Sequence, residues 1–211
     1  TLNTCTILMN TSGSDGGGIL IAGVGGQTVN MTGGSLTGNT AQGTGAEADG
    51  GGLFNANPVG STTLSGVTIS NNTATAGANA RGGGIEDGAN SPLTINNCTI
   101  TGNQSDNGGG VATTNAFVNQ LTTINNCTIS GNSATMAGGA LFVSSGLLTA
   151  NLNRIVSNTA PSGSGIAQTG GTASVENNWW GCDGFPNAAG CQTGSGTFDA
   201  DPRIDLRLLP A

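Results

Sequence analysis

Cysteine is the residue type in this sequence with the most distinctive chemistry, and the chain has five. Cys182 and Cys191 lie close together in the turn-rich segment GCDGFPNAAGC. We predict a local disulfide between them, which implies an oxidising compartment. Because the chain has no histidine and no Cys-x-x-Cys pair, we predict neither a metal site nor a cofactor.

The other three cysteines share a sequence position. Cys5, Cys98 and Cys127 each lie two residues before an isoleucine. This position predicts a stack of buried thiols that fill space as small apolar groups. A disulfide between Cys98 and Cys127 is the alternative, because strands ~4.8 Å apart fall inside the ~4.4–6.8 Å Cα range of disulfides. Side chains stacked in parallel point the same way, however, which is poor geometry for that bond.

The acidic residues offer the next candidate chemistry. Asp15, Asp49 and Asp106 fall just before glycine-rich segments, and we interpret them as solvated turn residues. A ridge that binds Ca²⁺ weakly is the alternative. Glu86 and Asp87 follow another such segment, and we expect them to face outward as well. Glycosidases need two carboxylates ~5–10 Å apart across a cleft. No such pair is evident, so we assign no catalytic residue and predict that the chain is not an enzyme.

Two aromatic residues and a set of hydroxyls allow other kinds of binding. Trp179 and Trp180 are the only tryptophans. We expect them to cap the last coil of a stack, and sugar stacking is the alternative. A column of paired hydroxyls forms a flat, regular array if the strands stack: Ser35/Thr37, Thr68/Ser70, Thr99/Thr101 and Thr128/Ser130. Serine and threonine are ordinary residues of exposed strands, although some ice-binding proteins have a similar array.

Composition excludes several kinds of partner. The formal net charge is −7, and the chain has no lysine. Nucleic acids and anionic membranes attract basic surfaces, so neither is expected as a partner. No run of ~20 apolar residues is present, so we predict no transmembrane helix. Gly accounts for 39 of 211 residues, far above the usual ~7%. This glycine content could indicate a low-complexity linker, which an internal repeat would argue against.

Two short sequence marks alternate strictly along the chain with a shared period of about 30 residues, as in solenoid repeats. The first is Gly-Gly, a small residue and an aliphatic residue, and it begins at Gly16, Gly50, Gly82, Gly108 and Gly138, with a weaker copy at Gly163. The second is an aliphatic residue followed three positions later by asparagine: Ile7/Asn10, Leu36/Asn39, Ile69/Asn72, Ile100/Asn103, Ile129/Asn132 and Ile155/Asn158. Two interleaved marks with one period are strong evidence for stacked coils.

The repeat predicts an all-β fold, a right-handed parallel β-helix of about six or seven coils. Short strands with alternating inward residues, as in LTINNCTITGN, bury their apolar side only when coils stack. We expect loops to absorb length differences at Thr40–Asp49 and Thr73–Arg81. Residues 1–178 would form the repeats, and 179–211 a disulfide-stapled cap and an exit strand. The repeated asparagines would form an inward amide ladder: Asn39, Asn72, Asn103, Asn132 and Asn158.

The two marks resemble the Gly-Gly-Ala-Ile and Phe-x-x-Asn repeats of chlamydial polymorphic outer membrane proteins, with Ile usually in place of Phe and Gly often in place of Ala. The segment from Glu176 to Leu206, which begins ENNWWGC, is similar to the closing segment of bacterial β-helix surface proteins of the "choice-of-anchor" type. These resemblances imply a surface-exposed passenger or stalk, often adhesive, without enzymatic activity.

The two ends of the chain suggest how such a module would assemble. TLNTCTILMN is already repeat-like, with no cap ahead of it, and Ile204–Leu209 is apolar at alternate positions. We therefore expect a secreted or cell-surface structural or adhesin-like module whose copies stack head to tail into a filament or stalk. Glycans or a host surface are further candidate partners. A carbohydrate-binding or polysaccharide-degrading β-helix is the main alternative, and an ice-binding protein a minor one.

Overall fold

The computed structural model describes residues 1–23, 25–45, 47–76, 78–114, 121–182 and 184–201. Within these residues every regular element is a β-strand, and the strands form four parallel sheets. Successive strands of the chain go to successive sheets, so each coil contributes one strand to most or all of them. The all-β solenoid fold predicted from the repeat is therefore confirmed.

The strand bounds follow the coils from the first to the last. The first sheet contains Leu2–Asn3, Gln27–Thr32, Gly60–Ser65, Leu93–Asn96, Leu121–Asn125, Leu147–Asn151 and Thr172–Ser174. The second contains Thr6–Leu8, Ser35–Thr37, Thr68–Ser70, Thr99–Thr101, Thr128–Ser130 and Arg154–Val156. The third contains Thr11–Ser12, Thr40–Gln42, Thr73–Thr75, Gln104–Asn107 and Ser133–Ala137. The fourth contains Ile19–Ala22, Leu53–Ala56, Ile85–Asp87, Val111–Thr114, Leu141–Ser145, Ile166–Gln168 and Gly194–Ser195.

Equivalent residues of neighbouring coils stand directly above one another. In the second sheet, Ile69 pairs with Leu36 on one side and with Ile100 on the other. All three side chains are fully buried in one continuous core that runs along the stack. The alternation of inward aliphatic and outward hydroxyl residues explains this arrangement, since one coil alone cannot bury its apolar side.

The glycine pairs form the sharp corner that leads into the fourth sheet. The first glycine of a pair has a positive φ, for example +66° at Gly50. The second glycine lies against the next coil, since a Cβ on Gly51 would come within 2.4 Å of the Gly83 carbonyl oxygen. Only glycine satisfies both requirements without strain, which explains why the mark recurs.

The third sheet corrects part of the sequence analysis. Residues 40–49 and 73–81 were expected to be loops, but each begins with a strand, Thr40–Gln42 and Thr73–Thr75. Alanine provides the inward contact here, since Ala41 and Ala74 are both buried. So small an apolar side chain gives a weak hydrophobic pattern, which is why these strands were missed.

Candidate functional site

The repeated asparagines lie in one inward column and bond to each other along the stack. The Asn103 side-chain Nδ2 donates to Asn132 Oδ1 at 2.9 Å and to the Ile69 carbonyl oxygen at 3.0 Å. The backbone N–H of Asn103 donates to the same Asn132 Oδ1 at 3.0 Å. Equivalent bonds link Asn10, Asn39, Asn72, Asn103, Asn132 and Asn158. The ladder thus satisfies buried amides and backbone groups together.

The C-terminal segment ends this ladder with a residue that the sequence analysis did not identify. Gln192 Oε1 accepts the backbone N–H of Asn158 at 2.9 Å. A disulfide joins Cys182 and Cys191, so it holds the residue directly before Gln192. Trp180 is fully buried in the core below this segment.

A second ladder contains two of the cysteines. The Cys127 backbone N–H donates to Asn153 Oδ1 at 2.8 Å, and Asn153 Nδ2 donates to Asn178 Oδ1 at 3.0 Å. In the other direction, Cys98 N–H donates to Cys127 Sγ at 3.3 Å and Val67 N–H to Cys98 Sγ at 3.4 Å. Sulfur therefore takes the place of the amide oxygen in two coils. Asn153 and Asn178 were missed, although each stands two residues before a core residue, as the cysteines do.

The thiols do not form a stack of three. Cys98 and Cys127 are buried neighbours, and both are free. A hydrogen bond between the two thiols raises the pKa of Cys127 and lowers the pKa of Cys98. Cys5 is half-buried and lies in the same column, but Gly34 and Val67 separate it from Cys98.

Trp179 continues the outer surface of the second sheet. It bridges to Arg154, whose guanidinium carbon lies 5.1 Å from the centroid of the Trp179 ring. An arginine already covers one face of this ring through a cation–π contact.

The hydroxyl pairs lie on the outer surface of the second sheet, as the sequence analysis expected. The first column contains Thr6, Ser35, Thr68, Thr99 and Thr128, and the second contains Thr37, Ser70, Thr101 and Ser130. No register shift occurs in this sheet, whereas the third and fourth sheets each have one. Thr68 and Thr99 are exposed, but Ser70 is buried and bonds to Thr37 at 3.1 Å. We call these nine residues the hydroxyl face.

Glu86 and Asp87 do not face solvent, which corrects the sequence analysis. Both side chains are fully buried. Asp87 points into the core, where it accepts hydrogen bonds from Asn55 Nδ2 at 2.8 Å and Thr122 Oγ1 at 2.6 Å. Burial raises the pKa of Asp87 to about 6. Glu86 lies on the opposite side of the same strand and accepts a hydrogen bond from the Thr114 hydroxyl.

The ridge of aspartates that was the alternative to solvated turn residues is interrupted. Asp49 follows Asp15 in the column, but Arg81 and Asn107 occupy the next two positions. Asp106 lies beside this column and accepts hydrogen bonds from the Ala80 N–H at 3.0 Å and the Thr135 hydroxyl at 2.6 Å. Within the described part of the chain, no group of three potential metal-ligating side chains occurs.

These observations define a class, the parallel β-solenoids stabilised by internal polar ladders. The family model described as "Right handed beta helix region" matches residues 54–180, more than half of the chain. The chain therefore belongs to the right-handed β-helix family. Searches of curated proteins and of solved structures give no significant match. Among the described residues, no helix is long and apolar enough to cross a membrane.

Proposed function

We propose that this chain is a non-enzymatic structural or adhesin-like module of an extracellular protein, where it acts as a rigid spacer. The observation that supports this proposal is the uninterrupted asparagine ladder from Asn10 to Gln192. The buried amides that bond from coil to coil between Asn39 and Asn158 favour one fixed arrangement over bending between coils. The Cys182–Cys191 disulfide is consistent with a location outside the cell.

Three of the described acidic residues, Asp106, Glu86 and Asp87, also favour a structural role. A shallow pocket of about 150 Å³ lies over the third sheet, lined by residues such as Thr73, Gln104 and Asp106. Both carboxylate oxygens of Asp106 already accept hydrogen bonds from the protein. The carboxylate in this pocket is therefore already occupied by protein groups. Glu86 and Asp87 are closed to solvent. Glycosidase chemistry would need two carboxyl groups that both reach a bound sugar.

Head-to-tail stacking of copies is part of the same proposal. Ile7 in the first coil is half-buried, whereas Leu36 and Ile69, its counterparts in the next coils, are fully buried. A second coil-like surface placed over Ile7 would bury it in the same way. The resemblance to bacterial surface passengers and stalks supports this arrangement.

Small-angle X-ray scattering over a concentration series tests whether the protein is a rigid spacer. Negative-stain electron microscopy tests whether copies stack head to tail. We expect a rigid elongated particle about 35 Å long, as about seven coils at ~4.8 Å each require. Stacking would add thin filaments with a repeat of about that length. A flexible particle, or release of reducing ends from a panel of polysaccharides, would contradict the proposal.

The hydroxyl face supports ice binding as a second candidate function. Its residues lie in register along the second sheet, whose strands carry no charged residue except Arg154, which follows Thr128 at one end. An uncharged surface of regularly spaced hydroxyls is a better complement to a lattice of water molecules than to a charged partner. Thermal hysteresis measures ice binding directly. We expect Thr99→Lys to abolish it and Thr75→Lys, on the third sheet, to preserve it. A wild-type protein without hysteresis would eliminate this candidate.

A further inference from the structure

Glu86 occupies an unusual place on the outer side of the fourth sheet. Its column neighbours are Phe54 in the preceding coil and Ala112 in the following one. Ala112 also packs with Phe142 in a small apolar cluster outside the main core. Glu86 is fully buried there, and only its Oε1 has a hydrogen-bond partner, the Thr114 hydroxyl. The other oxygen, Oε2, is buried without a partner.

The charged groups around Glu86 are mostly acidic. Asp49 is buried close enough for its charge to oppose ionisation of Glu86, and its Oδ1 also has no hydrogen-bond partner. Arg81 is the cation of this group, but its guanidinium lies 3.3 Å from Glu47 and 3.9 Å from Asp49. Asp15 adds a further acid, because one of its oxygens accepts the backbone N–H of Asp49.

Asp87, the neighbour of Glu86 in sequence, belongs to a different environment. Its side chain points into the core toward Asn55 and Thr122. Its negative charge nevertheless opposes ionisation of Glu86. Two acids, Asp49 and Asp87, therefore oppose ionisation of Glu86, and one arginine, Arg81, favours it.

An ionised Glu86 would be an uncompensated buried charge. Transfer of an unpaired carboxylate from water to an apolar site is so costly that such a group normally takes up a proton instead. The described residues also offer no set of three ligands that would hold a metal ion at this place. A proton is the remaining way to neutralise the carboxyl group.

We propose that Glu86 is a proton-binding site that makes the β-helix an acid-stabilised, pH-sensitive structure. Glu86 retains its proton at neutral pH, and it releases the proton only when the outer face of the fourth sheet opens around it. Burial, followed by the charge of Asp49, holds the pKa of Glu86 well above its ordinary value. Burial likewise raises the pKa of Asp49 to about 6.

The direction of the pH effect follows from proton linkage. An unfolded glutamic acid has a pKa near ~4.3. Because the folded pKa of Glu86 is higher, its proton stabilises the fold fully below pH ~4, and this contribution is lost as pH rises toward the folded pKa. Asp49 and Asp87 act in the same direction, but between pH ~4 and about 6. Between pH ~7 and ~8, below the ordinary thiol pKa of ~8.5, the remaining loss therefore belongs to Glu86.

The test compares two substitutions of the same chemical type. Glu86→Gln removes the buried titrating group, and Glu47→Gln is the matched control, since the Glu47 side chain is 58% exposed. Stability is measured by denaturant titration from pH 5 to pH 8, below the range in which unfolded thiols ionise. For the wild type and Glu47→Gln we expect the folding equilibrium constant to fall by up to about tenfold per pH unit above pH 7. For Glu86→Gln we expect no such fall.

Infrared spectroscopy at pH 8 detects the proton on Glu86 directly. A protonated carboxyl group has its own C=O stretching band, and at this pH Asp49 and Asp87 are ionised. We expect the band in the wild type and in Glu47→Gln, and its loss in Glu86→Gln. If Glu86→Gln fails to fold, a wild-type spectrum without the band would still overturn the proposal.

Three outcomes would overturn the proposal. They are a wild-type spectrum without the band, parallel pH profiles for the wild type and Glu86→Gln, and Ca²⁺-dependent stabilisation at pH 8 that Glu86→Gln abolishes. The last of these would make Glu86 a cation ligand. The test is independent of the spacer role, because a rod seen by scattering neither requires nor excludes a proton on Glu86.

Discussion

At the scale of single residues, the buried amides stabilise the stack because each one satisfies several groups. Replacing Asn103 by alanine removes the acceptor for the Asn72 N–H and Nδ2, and the donor to the Ile69 carbonyl. We expect Asn103→Ala to cost about 3 kcal/mol or more of unfolding free energy, since buried unpaired polar groups cost ~1–3 kcal/mol each. Denaturant titration measures this. Gln104→Ala, at an exposed neighbour, should change stability by less than ~0.5 kcal/mol. An equal effect of both substitutions would contradict this account.

The second ladder makes a sharper prediction, because sulfur replaces oxygen there. An asparagine at position 127 would accept the Cys98 N–H and donate toward the Ile95 carbonyl, as Asn153 donates to Ile124. We therefore expect Cys127→Asn to be at least as stable as the wild type. Cys127→Val, which keeps an apolar side chain but has no acceptor, should lose ~1–2 kcal/mol. Thermal melts of both variants check this order. A valine variant more stable than the asparagine variant would show that packing outweighs the hydrogen bonds.

At the scale of the elements, the strands and corners that can be predicted from the sequence are those where the repeat is regular. The second sheet, the glycine corners and the first ladder all follow from two short marks of fixed residue type. The third sheet was missed because its inward residues are small, as at Ala41 and Ala74. The burial of Glu86 was missed for another reason. Its environment comes from residues of neighbouring coils, such as Asp49 and Thr114, whose positions depend on corner geometry rather than on local pattern.

The C-terminal cap gives a prediction at this scale. The disulfide closes a loop with a sequence separation of 9 and holds the segment that presents Gln192 to Asn158. Removal of a disulfide that closes a loop of this length should lower the free energy of unfolding by ~2–3 kcal/mol. We expect Cys182→Ser with Cys191→Ser to lower the thermal midpoint and to speed amide exchange at Asn158 first. Cys5→Ser, which removes a free thiol, is the control. Unchanged amide exchange at Asn158 in the double variant would mean that the contact between Gln192 and Asn158 does not depend on the disulfide.

At the scale of the whole molecule, the stack protects Arg81 and Arg154, the two arginines among the described residues, from proteolysis. Arg154 is exposed, but its strand is paired with the coils on both sides, through Thr128 and Trp179. Arg81 is bridged to both Asp49 and Asn107. Trypsin needs a locally opened, extended segment, and opening either strand breaks pairing with two coils at once. We therefore expect the native protein to resist cleavage at both arginines.

A matched variant shows whether this resistance comes from the stack or from a lack of sites. Gly45→Arg places an arginine at an exposed position where an added Cβ meets no atom within 4 Å. Mass spectrometry of timed digests should find cleavage after residue 45 within minutes, while the peptides that end at Arg81 and Arg154 appear only after heating. Early cleavage at Arg154 in the native protein would mean that coils open one at a time. The ladders would then fail to couple neighbouring coils, and a rigid spacer would be the wrong description of the molecule.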